Sequence, residues 1–61
     1  MTIKEMRTET GMTQKQLAEL LDVPRRTLQN WELGTRECPQ YIVALIEYFL
    51  RSEGYLDKEE T

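Results

Sequence analysis

The chain has 61 residues, a net charge of −3, no histidine and a single cysteine. That length allows one domain, whose lone core stabilises it by only ~3–5 kcal/mol, so a partner subunit is expected. One cysteine excludes an internal disulfide, and no apolar run is long enough to cross a bilayer. No basic-then-apolar leader follows Met1, and a soluble protein of the reducing cytoplasm is the expectation.

Four helices can be placed by their ends. The first is predicted to open at Thr2, where Thr2 and Glu5 have capping-box spacing and Met1 and Met6 can close a hydrophobic staple. It should stop near Thr10, because Gly11 can take the left-handed conformation that ends a helix. The second is predicted to open at Thr13, with Gln16 completing another capping box and Met12 paired with Leu17 across it. Leu17, Ala18, Leu20 and Leu21 give it an apolar face at helical spacing. Asp22-Val23-Pro24 should end it, since Asp tolerates left-handed dihedrals and Pro cannot continue a helix from within.

The third helix is predicted to start around Pro24, whose fixed φ suits a first helical position, and to run to Leu33 before Gly34. Leu28 and Trp31 share its inward face; Arg26, Gln29 and Asn30 fall opposite, with Arg25 at the exposed start. Residues 35–38 read as a loop. The fourth helix is expected from Pro39 to about Ser52, with Gly54 as its stop. Its middle, YIVALIEYFL, is apolar almost all round, and such a helix must be covered on more than one face. Ile42, Leu45 and Phe49 are taken as its inward set. That leaves Tyr41, Val43, Ile46, Tyr48 and Leu50 as an exposed patch suited to a symmetric dimer. The domain is expected to span 1–54, followed by an acidic tail over 55–61 in which Tyr55 or Leu56 folds back onto the fourth helix.

The outward side chains of the third helix carry the functional reading. A guanidinium at Arg25 or Arg26 can meet guanine O6 and N7 with two hydrogen bonds, and Asn30, with Gln29 on the flank, can bridge adenine N6 and N7. The start of a helix is electrostatically poor for cations, and a nearby phosphate would remove that penalty. Gln14, at the start of the second helix, fits a phosphate clamp. The charge balance supports a local basic patch despite the negative total. Through Arg36 there are six basic against five acidic residues, and from Glu37 onward two against six. Two short helices joined by a tight turn, the second with a polar face, are a common device for reading duplex DNA.

The string TQKQLAELLDVPRRTLQNWELGTRECP, covering 13–39, resembles the lambda-repressor/Cro type of helix-turn-helix, the XRE family. Gln14 heads the second helix, and Ala18 is small where two helices approach closely. Leu17, Leu21, Val23, Leu28 and Trp31 take the buried positions, and Trp31-Glu32-x-Gly34-x-Arg36 closes the motif. The resemblance implies an all-α, compact four-helix domain with the helix-turn-helix formed by the second and third helices. It also implies a phosphate contact for Gln14, base contacts for Arg25, Arg26 and Asn30, and backbone contacts for Thr27 and Arg36 with Thr35 beside them. Arg7 and Glu32 resemble a family ion pair joining the first helix to the recognition helix. The chain departs from the pattern at Asp22, where Gly is usual, and at Pro24, where Ser or Thr usually caps. Four helices stand where many relatives have five, so the dimer surface is not simply inherited.

The resulting expectation is a cytoplasmic, homodimeric transcriptional regulator, a repressor, that binds double-stranded DNA and needs no cofactor or metal. Enzymatic readings fail on inventory, there being no histidine, no glycine-rich phosphate loop and no metal-ligand spacing. An alternative is a protein-interaction module of the same fold, antitoxin-like or accessory, docking a protein partner through the fourth helix. Cys38 reads as an ordinary loop thiol, the competing reading being a redox switch activated by the helix start behind it.

Overall fold

Threonine side chains start the first two helices. Thr2 caps α1 (Ile3–Thr10), its hydroxyl oxygen accepting from the Glu5 amide at 3.1 Å while the Glu5 carboxylate accepts from the Thr2 amide at 2.7 Å. Thr13 and Gln16 repeat this in front of α2 (Gln14–Leu21), at 3.1 and 2.9 Å. Each capping box satisfies two donors that a helix start leaves orphaned. The structure is a computed structural model describing residues 1–56. It contains two further helices, α3 (Arg25–Leu33) and α4 (Gln40–Ser52), and no strand among the described residues.

Helix ends follow from local chemistry. Gly11 closes α1 at φ 78°, and Gly34 closes α3 at φ 82°. Asp22 does the same for α2 at φ 59°, the only described non-glycine residue with positive φ. Its amide reaches back to the Glu19 carbonyl at 3.2 Å, and the Val23 amide reaches Ala18 at 3.0 Å. Pro24 and Pro39 sit one position earlier than expected, as caps rather than as first helical residues. Their φ near −60° suits a helix, but ψ of 139° and 142° keeps each outside it. Neither offers a side-chain acceptor to the first turn that follows.

Four helices converge on one core. Ile3 and Met6 from α1, Leu17 and Ala18 from α2, Leu28 from α3, and Ile46 and Leu50 from α4 are buried, with Trp31 and Val23 packed against them. α2 packs on α3, while α1 lies against both α3 and α4. No described helix is long and apolar enough to cross a membrane.

Two expectations are corrected here. Ile46 and Leu50, assigned to an exposed dimer patch, are buried, and Val43 is half-buried against the core. Leu45, assigned inward, is exposed. The observed inward face is Ile42, Val43, Ile46, Phe49 and Leu50, rotated by about two-thirds of a residue step of ~100° from the expected one. A helix apolar on all sides carries no internal signal of its own rotation; the partner helices set it. The second correction concerns the domain edge. Leu56 is buried in the core, and its amide and that of Tyr55 both bond the Leu50 carbonyl, at 3.2 and 2.8 Å. The folded unit therefore reaches Leu56, past the expected boundary at 54. Of the two fold-back candidates Leu56 is the one buried; Tyr55 remains exposed. The rest of the expected acidic tail, 57–61, lies outside the described residues.

Candidate nucleic-acid interface

Leu28 anchors α3 in the core, which turns the opposite side of that helix to solvent. Arg25 and Arg26 occupy its first two positions. Both are exposed, and neither has an ion-pair or hydrogen-bond partner among the described residues. The Pro24 cap supplies no side-chain acceptor to this turn. Two cations and uncapped amides at one helix start form a site where an anion gains from both the dipole and the charges. Arg36, also exposed and without a partner among the described residues, follows the C-terminal end of the same helix.

Asn30 stands on the outward side but is not free. Its Oδ1 accepts from Thr35 Oγ1 at 3.1 Å, and its backbone carbonyl accepts from the amides of Gly34 at 3.0 Å and Arg36 at 3.3 Å. Asn30 thus holds the 34–36 turn while keeping its Nδ2 hydrogens and one Oδ1 lone pair available. The single hydroxyl proton of Thr35 is committed to Asn30 in this arrangement, so a phosphate contact from Thr35 requires that hydroxyl to rotate. Thr27 is half-buried, and its amide bonds the Pro24 carbonyl at 3.0 Å.

A polar network links the three helices behind this face. Arg7 on α1 donates from Nε to Glu32 Oε2 at 2.7 Å and from Nη2 to Glu32 Oε1 at 3.1 Å, and from Nη1 to the Met12 carbonyl at 3.1 Å. Gln14 on α2 donates from Nε2 to the same Glu32 Oε1 at 3.0 Å. Gln14 Oε1 in turn accepts a long hydrogen bond, 3.4 Å, from Gln29 Nε2. The Glu32 side chain is only 3% exposed, so it presents no repelling carboxylate to an approaching polyanion. Burial works to raise its pKa, but hydrogen bonds from Arg7 and Gln14, aided by the charges of Arg7 and Lys4, leave it below the ordinary value. The hydrogen bond to Glu32 pushes the Arg7 guanidinium higher still.

This network gives two expected contact residues a defined posture. Gln14 keeps one Nε2 hydrogen for a phosphate, with its amide plane held by Glu32. Gln29, expected as a base reader, is half-buried and turned toward α2. Nothing local in the sequence pointed to this, because its partner is fifteen residues away on another helix.

On α4, Tyr41 and Tyr48 are exposed, and they share a stripe with Leu45, which the sequence reading had turned inward. These three lie at i, i+4 and i+7, one side of a helix. Leu33, at the end of α3, is a further exposed apolar side chain that the sequence reading did not single out. Cys38 is half-buried, and burial raises its thiol pKa, the reverse of the activation a redox switch needs. No cluster of three metal-ligating side chains occurs among the described residues.

A helix-turn-helix family model matches residues 3–52, nearly the whole described chain. The protein belongs to that family, in its XRE, lambda-repressor type, whose members are DNA-binding regulators rather than typical enzymes. No curated protein and no solved structure matches the chain.

Proposed function

We propose that this helix-turn-helix protein is a sequence-specific transcriptional repressor of the cytoplasm that binds double-stranded DNA as a homodimer on a two-fold symmetric operator. The observation that carries the reading is the pair Arg25 and Arg26, exposed and without partners among the described residues at the uncapped start of α3. In the major groove each guanidinium can read a guanine edge, and Asn30 can read adenine with its free amide hydrogens. Gln14, Thr27, Arg36 and Thr35 are assigned to phosphates, where they fix register without carrying sequence information. Gln29 acts mainly through Gln14 in this reading. Repression follows from occlusion of the polymerase site; no bond is made or broken.

The dimer is assigned to Tyr41, Leu45 and Tyr48, in place of the buried Ile46 and Leu50 and of Val43, which faces the core. Two copies would place their recognition helices one turn of duplex apart, roughly 10–10.5 base pairs. Doubling the contacts matters for a chain of net charge −3, since phosphate neutralisation supplies most non-specific affinity. Selection of bound sequences from a random duplex pool tests the reading. An enriched palindrome is expected, and a pool that shows no enrichment would refute it.

A second reading is favoured by the α4 stripe itself, which lies on a different helix from the arginines. The same fold would then serve as an antitoxin-like or accessory partner that docks another protein. Salt titration separates the two: a DNA reader that neutralises several phosphates has a steep log–log slope, and an interaction module has none.

A further inference from the structure

The geometry points to Leu33 as an apolar specificity residue that reads the 5-methyl group of a thymine in each operator half-site. This rests on the proposed DNA-binding reading and adds to it a base class and a contact residue. Leu33 is 76% exposed, more than any other large hydrophobic side chain described. Arg26, Asn30 and Leu33 follow one another at steps of four and three residues, which at ~100° per residue puts all three within about 60° of one another. Leu28, fully buried, lies on the other side of the helix. Whatever duplex edge meets Arg26 and Asn30 therefore runs past Leu33 as well.

The base edges of the major groove offer hydrogen-bond donors and acceptors almost throughout, and thymine's C5-methyl is their apolar group. A leucine gains nothing from the polar edges and loses water most favourably against that methyl. Along the helix Leu33 is seven residues from Arg26, about 10 Å at 1.5 Å per residue. With base pairs ~3.4 Å apart, that places the thymine about three steps from the pair Arg26 reads. The final turn of α3 is pinned for such a contact, since the amides of Gly34 and Arg36 both bond the Asn30 carbonyl.

The test uses the full chain and the operator recovered from the random pool. Each thymine is replaced in turn by deoxyuridine, which removes the methyl and leaves pairing intact. Wild-type protein should lose about fourfold in affinity at one thymine per half-site, the equivalent of one buried methyl group. Leu33→Ala should bind the thymine and uracil duplexes alike at that position, with affinity for random DNA unchanged. The side chain is exposed, so its melting temperature should match wild type. Specific binding that is indifferent to every uracil overturns the Leu33 assignment alone, as does a Leu33→Ala protein that keeps the uracil effect. A pool without any enriched sequence sinks the parent reading and this one together. If Leu33→Ala instead weakens self-association and leaves methyl sensitivity intact, the leucine belongs to a protein contact and the assignment fails.

Discussion

Arg7 and Glu32 meet across 25 residues of sequence through two hydrogen bonds, 2.7 and 3.1 Å, that join the first helix to the recognition helix. The glutamate end is almost fully covered, and the arginine end is 18% exposed. Removing one partner would leave a charge buried without its counterion, which costs about 3 kcal/mol at such sites. In a domain with ~3–5 kcal/mol in hand, that is most of the total. Arg7→Met and Glu32→Gln should each lower the urea midpoint sharply, whereas the double change to Met and Leu should recover part of the loss. Wild-type midpoints in the single variants would show the pair contributes little.

Acid should weaken the same joint. The Glu32 carboxyl titrates below its ordinary range when folded, so its stabilising share is complete above the unfolded value of about 4.3 and is lost as pH falls through the depressed folded value. Stability of the wild type should therefore fall on acidification below about pH 4.3. Glu32→Gln should show a shallower fall over that window, compared by denaturant melts at each pH. Parallel pH curves for the two proteins would place the acid sensitivity elsewhere.

Arg26 and Arg36 should separate by type of loss. Arg26→Ala is expected to cost about 1–3 kcal/mol on the selected operator, with little change on random duplex. Arg36→Ala should weaken both alike and reduce the salt slope by roughly one. Equal losses for Arg26→Ala on both duplexes would reassign that residue to phosphate.

On α4, neighbouring apolar residues should behave oppositely. Tyr48→Asp and Leu45→Arg, at exposed positions, should abolish dimers in sedimentation while leaving the helical spectrum and the melt intact. Leu50→Ala should lose about 2–5 kcal/mol of stability, because it empties a fully buried site. Dimers that survive both α4 surface changes would move the interface off this helix.

The contrast on α4 also marks where the sequence stopped being informative. Both capping boxes and the left-handed ends at Gly11, Asp22 and Gly34 were legible, because each depends on residues within one turn of one another. The rotation of α4 was not, since a run apolar on every side looks the same from each angle until α1 packs against it. Gln29 illustrates a third situation. It was expected on the flank of the outward face, but its amide is engaged by Gln14 on the preceding helix, and no pattern within α3 reports that. Arg25 and Arg26 were legible as surface residues from the opposite placement of Leu28, whose burial the core required.

One oxygen of Glu32 receives both a guanidinium nitrogen from Arg7 and the Gln14 amide. That oxygen therefore couples the joint between α1 and α3 to the posture of Gln14, the side chain proposed above to meet a phosphate.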